Sequence, residues 1–310
     1  MKKQITVAIA LALATSFVSV AAPHGMYLTK QMRDLNKTLS MLDATQSHAN
    51  RENGPGSVMY YGGSVISHVK VYAVIWGTEV DADTQKQISD YFKATVDSTY
   101  MDWLTEYNTN IKAVDGRDGT NQAIGRGTFA GQIAITPANT STDLKDSQVQ
   151  AELDGQINAG VLPKPDADTL FMVFFPPGVG IAFDDGSGAS CSAFCAYHED
   201  FVSKTNGNVF YGVMPDLGGA CSFGCGFAGS KFNNLTDVTS HELIEAITDP
   251  FPTPGSQPAF PQAWNTTDGQ EIGDLCSGNS GNLTAGDTTY VLQQEFDNKA
   301  GSCTVATYTH

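Results

Sequence analysis

Basic residues are scarce in this chain. Lys and Arg number 17 against 33 Asp and Glu, a formal net charge of −16, and that balance disfavours nucleic acid and anionic membranes as partners. Long apolar runs are scarce too. Beyond Ala22 nothing approaches the roughly 18 consecutive apolar residues of a spanning helix, so no membrane insertion is expected. There is no GxSxG nucleophile elbow and no GxxxxGK[ST] phosphate loop, which sets aside the serine hydrolases and nucleotide enzymes built on them. Gly125-Arg126-Gly127 lacks the third glycine and the strand-to-helix context of a dinucleotide site. Acidic pairs for sugar hydrolysis abound, but no spacing singles one out.

What is present begins with an export signal. Met1-Lys2-Lys3 precedes an apolar stretch from Ile5 to Val20, and small residues at Ser19 and Ala21 mark a cleavage point near Ala21 or Ala22. Residues 1–22 therefore read as a signal peptide, and the protein as secreted, extracellular or periplasmic. Its six cysteines, Cys191, Cys195, Cys221, Cys225, Cys276 and Cys303, should then be oxidised and paired. The close spacing of the first four suggests that they pair among themselves and that Cys276 joins Cys303. A four-thiolate zinc site from Cys191, Cys195, Cys221 and Cys225 is the alternative.

Leu28, Met32, Leu35, Leu39 and Leu42 recur at helical spacing, and a polar, glycine-bearing stretch follows from Ser47 to Ser57. Residues 23–57 read as a leader helix and linker, either a pro-segment or an ordinary first helix packed on the domain over 58–310. Within that domain Ser67–Trp76 predicts a first strand, and the stretch after Asp81 one or two covering helices. Thr128–Ile135 predicts a second strand. A helix with a Val149, Leu153, Ile157 stripe follows, capped by Ser141 or Thr142. Thr169–Phe175 reads as a buried strand stopped by Pro176-Pro177. Phe194–Phe201 and Asn208–Met214 read as a hairpin closed through Asn206-Gly207. The order predicts an α/β fold, a zincin-like mixed sheet with covering helices and an active-site helix, stabilised by disulfides.

That helix is the segment from about Leu235 to Thr248, capped by Asn233 or Asn234 and stopped by Asp249-Pro250. Leu243, Ile244 and Ile247 fall on one face; His241, Glu242, Glu245 and Asp249 fall on the other. A solvated surface face would mix lysine with glutamate, and this one has no lysine. Carboxylates gathered beside one imidazole repel each other unless a cation neutralises them. His241 and Glu245, four apart, stand one above the other and can reach a single ion, with Glu242 beside it as general base for a bound water. This is the HExxH geometry with glutamate in the second histidine's place. Glu271, or alternatively Asp274, supplies the third ligand; whichever does not ligate supports the site from behind. Zn is the expected metal, with another divalent ion also compatible. His198 is either an auxiliary ligand or oxyanion donor, or an ion-paired surface group beside Glu199 and Asp200.

Several segments together resemble one known family. Tyr60-Tyr61-Gly62-Gly63-Ser64, Val71–Gly77, Phe194-Cys195-Ala196-Tyr197-His198, Tyr211–Asp216, Cys221-Ser222-Phe223-Gly224-Cys225 and Glu271 before Leu275-Cys276 are similar, in that order, to the EXORDIUM (phosphate-induced protein) family. The resemblance spans roughly Tyr60 to Cys303 and implies a secreted protein without an established catalytic site. Two functions follow. One is a secreted metal-dependent hydrolase, a zinc metallopeptidase acting on peptide or protein. The other is a non-catalytic extracellular binding or signalling protein, with a glycan as partner. The sequence leaves the oligomeric state open.

Overall fold

A computed structural model describes residues 26–46, 57–226, 228–252, 258–304 and 307–310. The signal-peptide reading and most of the linker reading lie outside the described residues, as do the side chains of Leu39 and Leu42.

The chain enters as a three-residue strand, β1 (Met26–Leu28), then turns into helix α1 (Lys30–Gln46). The apolar stripe predicted one helix throughout; the structure extends its first turn and pairs it with a sheet edge. No side chain from Lys30 to Thr38 is buried, and Leu35 is 49% exposed. Over this stretch α1 touches the core through the partly buried Met32.

The central layer is then built in sequence order. β2 (Lys70–Trp76) is followed by α2 (Ala82–Val96), capped by Asp81, whose side chain accepts from the amides of Asp83 and Thr84. β3 (Thr128–Ile135) leads to α3 (Asp146–Asn158), and β4 (Thr169–Phe174) follows, buried at all six positions. The cap expected at Ser141 or Thr142 lies instead just before Asp146. A short strand, Asp143–Lys145, intervenes, and the Gln148 side chain accepts from the Lys145 amide. β5 (Phe194–Ser203) and β6 (Gly207–Met214) form the expected hairpin, with Gly207 at φ 78°, where a side chain would be strained.

The six-stranded sheet has the order β1-β5-β6-β4-β2-β3. β3, β2, β4 and β6 run parallel, while β5 is antiparallel to β6 and β1 antiparallel to β5. The protein is thus mixed α/β with a mixed central sheet. Because side chains alternate across a strand, each sheet face carries its own core. Trp76, Phe171, Phe175, Tyr197 and Tyr211 pack with Val149 and Leu153 of α3 on one side. Ile75, Met172 and Phe174 pack with Ile88 and Phe92 of α2 on the other, joined by α4 (Lys231–Thr248).

α4 starts earlier than expected because Ser230, not an asparagine, accepts from the Asn233 amide at 3.1 Å. Asn233 and Asn234 brace the preceding turn, both through the backbone of Ala228. From Leu235 to Thr248 every residue of α4 is buried, so its polar face is not solvated but covered. The cover is a three-stranded unit of β7 (Ser280–Ala285), β8 (Thr288–Gln293) and β9 (Thr307–Thr309), together with β1 and the loop after Glu271. The six cysteines form three disulfides, Cys191–Cys221, Cys195–Cys225 and Cys276–Cys303. With the first four paired, the four-thiolate zinc alternative is set aside. Among the described residues no helix is long and apolar enough to cross a membrane.

Candidate metal centre

α4 and its C-terminal end deliver four acidic or basic side chains to one region, and a loop and a strand deliver the rest. His241, Glu242, Glu245 and Asp249 come from the helix and its end, Glu271 from the loop that follows, and His198 from β5. All are 0% exposed except His198, at 1%. His241 Nε2 lies 3.0 Å from Glu245 Oε2, and His198 Nε2 lies 3.6 Å from Glu271 Oε1. The ligand atoms of His198, Glu245 and Glu271 lie within 4.8 Å of one another, and so do those of His241, Glu242 and Glu245. Glu245 belongs to both groups and links them, whereas His241 and Glu271, expected to share one ion with it, do not fall in a single group: the structure sets His198 beside Glu271 and Glu242 beside His241.

The hydrogen-bond accounting within this cluster is incomplete in a specific way. Buried polar atoms almost always have a partner. Here both carboxylate oxygens of Glu271 have none, and His241 Nε2 and Glu245 Oε2, 3.0 Å apart, face only each other, without hydrogen-bond alignment. These atoms belong to the three residues the sequence nominated as ligands. Their other atoms are held: Glu245 Oε1 accepts from the Asp274 amide at 3.0 Å, and the Glu271 amide donates to Asp274 Oδ2 at 3.2 Å. Asp274 therefore stands behind Glu271 as a support. Close approach of its loop depends on Gly273, where a Cβ would lie 2.5 Å from His241 Nδ1 and 2.7 Å from Glu245 Oε1. The Cys276–Cys303 disulfide pins the loop just beyond.

The charge of the cluster is as demanding as its geometry. Burial pushes Glu271 well above the carboxylate range, and the neighbouring Glu245, Asp249, Asp274 and Glu242 push it further. Burial raises Glu242 as well, against the lowering pull of His198 and His241. Asp249 is pushed up to about 7 and Asp274 to about 8, burial being the chief cause in both. Burial opposes charge on His241, yet Glu245 and Glu242 outweigh it and raise the imidazole to about 10. The anions thus hold a proton on His241 where a divalent cation would serve better.

His198 is no surface group. Its Nε2 meets the Asp249 carbonyl at 3.1 Å, and its Nδ1 faces Glu242 Oε2 at 3.3 Å. The expected ion pairing with Glu199 and Asp200 gives way because β5 alternates, turning His198 inward towards α4. The Glu242 Oε1 atom accepts a hydrogen bond from the Tyr27 amide of β1 at 2.9 Å.

Three contributors escaped the sequence reading. Gln293, at the end of β8, places its amide nitrogen 2.9 Å from both His241 Nδ1 and the Gly273 carbonyl. Its Oε1 has no partner. Ligation through Nε2 leaves the proton on Nδ1, and a turned Gln293 amide would accept it through that oxygen. Glu295, pushed up to about 8 chiefly by burial, is held by the Tyr100 hydroxyl at 2.8 Å. Tyr27 sits edge-on to the His241 ring, with centroids 4.9 Å apart. Neither Gln293 nor Tyr27 lies near the helix motif in sequence, and an isolated glutamine or tyrosine carries no ligand signature.

Comparison of the chain with protein-family models, with curated proteins and with solved structures finds no match.

Proposed function

We propose that this chain is a secreted metal-dependent hydrolase, a zinc peptidase of zincin type, with His241, Glu245 and Glu271 as ligands and Glu242 as general base. The observation that carries the reading is the set of buried atoms on those three residues that lack a hydrogen bond, a condition found on no other carboxylate of the cluster. A buried polar atom without a partner costs on the order of 1–3 kcal/mol, more when charged; a cation would satisfy the two Glu271 oxygens and take the place of the proton between His241 Nε2 and Glu245 Oε2. Support also comes from the sheet, whose antiparallel strand β5 lies next to its margin and carries His198 towards the histidine-bearing helix. The three disulfides fit an exported protein.

A divalent ion held there polarises a substrate carbonyl and acidifies water. Glu242 takes the proton of the attacking water and passes it to the leaving amine nitrogen, as the new C–O bond forms and the peptide C–N bond breaks. His198, anchored on the Asp249 carbonyl through Nε2, keeps Glu242 oriented through Nδ1. Asp274 and Gln293 orient Glu245 and His241. Zinc fits the imidazole and carboxylate set, and the two anionic ligands leave it formally neutral, so a harder divalent ion competes for the site.

The complete burial of Glu242 favours a second reading, in which an EXORDIUM-type binding or signalling protein keeps the ion as a structural element and recognises an extracellular glycan. Elemental analysis of the purified protein, wild type against His241→Ala, separates metal from no metal. Near-stoichiometric metal in the first and about a hundredfold weaker retention in the second are expected; a metal-free wild type overturns the proposal. Glu242→Gln should keep the ion and lose at least about a hundredfold in peptide cleavage. Bound metal with no Glu242-dependent cleavage selects the second reading.

A further inference from the structure

β5 is the last long strand of the sheet, and its outer edge passes directly over the histidine-bearing face of α4. An open edge there would present unpaired N–H and C=O groups to any extended chain. In this structure the protein's own N-terminal segment takes that position. Met26, Tyr27 and Leu28 pair antiparallel with Tyr197, Ala196 and Phe194. The Tyr27 amide donates to Glu242 Oε1, the same atom a bound water would need. The Tyr27 ring packs against His241 and its hydroxyl reaches Asp237 Oδ2 at 3.4 Å. Arg33, from the first turns of α1, lies over the outer face of that ring at 5.0 Å.

We propose that β1 is an intramolecular stand-in for substrate, an extended polypeptide strand that docks on the edge of β5 with an aromatic side chain over His241, and that it keeps the site latent until displaced. This rests on the reading of the cluster as a metallopeptidase centre.

Three features separate a stand-in from a permanent part of the sheet. The contact is short, and its register breaks between Tyr27 and Leu28. Met26 to Thr29 are buried, but the segment that follows is lightly held: from Lys30 to Thr38 no side chain is fully buried, and the core contact of its hydrophobic residues is that of the partly buried Met32. Beyond the strand pairing, the polar anchors are few: the Thr29 and Lys30 amides donate to the Ala193 and Gly224 carbonyls, and the Thr29 hydroxyl to the Ser192 carbonyl. Finally, the one main-chain donor aimed away from β5 is spent on the candidate base and not on sheet or solvent. Any buried amide needs an acceptor; that this one finds it on the carboxylate assigned as base puts the strand where a peptide crossing a hydrolytic site would lie.

Displacement exposes the cluster, so accessibility of its histidines reads the proposal without metal or activity. In the metal-stripped full chain, modification of His198 and His241 by diethyl pyrocarbonate, followed by mass spectrometry, should be slow. Tyr27→Pro removes the amide that bonds Glu242 and disfavours the pairing, and should speed modification of both histidines at least tenfold. The acetylated peptide of residues 24–30, added to that variant, should restore protection; the same peptide with Tyr27→Ala should not. With metal restored, chelator should strip the ion at least tenfold faster from the variant, and casein cleavage should rise by a similar factor and vanish in Tyr27→Pro combined with Glu242→Gln.

If Tyr27→Pro does not form its disulfides, Tyr27→Ala, which keeps the backbone, is read in the same assays. Unchanged histidine modification, or a lowered melting temperature with no gain in modification, overturns the stand-in and makes β1 structural. Faster modification without metal uptake or cleavage leaves the stand-in in place and fails the peptidase reading.

Discussion

Two buried carboxylates lie on opposite sides of β5. Asp146, on the side of α3, accepts hydrogen bonds from the Tyr197 and Tyr211 hydroxyls, both at 2.6 Å, and from the Gln150 amide at 2.7 Å. Glu271, on the side of α4, is fully buried with neither oxygen partnered. Burial raises both groups, but hydrogen bonds pull Asp146 back while neighbouring carboxylates push Glu271 further. A carboxylate the fold needs for its own stability is satisfied by the fold. One left unsatisfied among neighbouring carboxylates is not explained by stability, and under the proposed reading a cation would satisfy it.

The comparison is broken most directly by neutralising each acid. Glu271→Gln should weaken metal retention by more than the ten- to hundredfold typical of an outer-shell loss, with little fall in the melting temperature of the metal-free protein, because the carboxyl group it replaces makes no hydrogen bond there. Asp146→Ala should do the reverse, leaving metal content unchanged and costing about 1–3 kcal/mol of stability as two tyrosine hydroxyls lose their acceptor. Equal effects of the two substitutions on metal content would dissolve the distinction.

A smaller effect sharpens it. Gln293→Leu removes the amide beside His241 Nδ1 and should weaken metal binding about tenfold to a hundredfold, measured by competition with a chromophoric chelator.

The last effect is one of pH. Asp249, Asp274 and Glu295 have folded-state values raised to about 7, 8 and 8. A raised acid binds its proton more tightly folded than unfolded, so its contribution is full below the ordinary carboxylate range, near pH 4, and is lost as pH rises through the folded value. His241, raised to about 10, contributes fully below its ordinary value near 6.5 and loses that contribution as pH rises through about 10. The metal-free protein should therefore melt at progressively lower temperature as pH is raised from about 4 to about 10, and bound metal should flatten the slope. A metal-free melting temperature that rises over this range would contradict the buried, uncompensated cluster.

Much of the fold was legible because periodicity reports burial. The continuous apolar run in β4, the alternation entering β2 and the Asn206-Gly207 turn each fix a local structure by short-range sterics and hydrophobic pattern. The helix motif was legible for the same reason, since residues three and four apart share a face whatever packs on it. What periodicity could not report is that the polar face of α4 would be covered. A carboxylate face looks the same in sequence whether water or another strand lies over it. The same limit hid Gln293 and Tyr27, which reach the cluster only because β8 and β1 are laid across α4 by long-range pairing.

The sequence by itself determined which side chains share a face. The spacing of His241, Glu242 and Glu245 on one helix, a downstream acid at Glu271 and an even set of cysteines are covalent and helical facts that folding cannot alter. The tertiary structure decided the rest: that β5 turns His198 inward, that Asp274 holds the Glu271 amide while the Glu271 carboxylate goes unpaired, and that the Tyr27 amide bonds Glu242. Those outcomes depend on which strands pair and which face is buried, and such contacts between distant segments are settled by packing the whole chain, not by any local pattern within it.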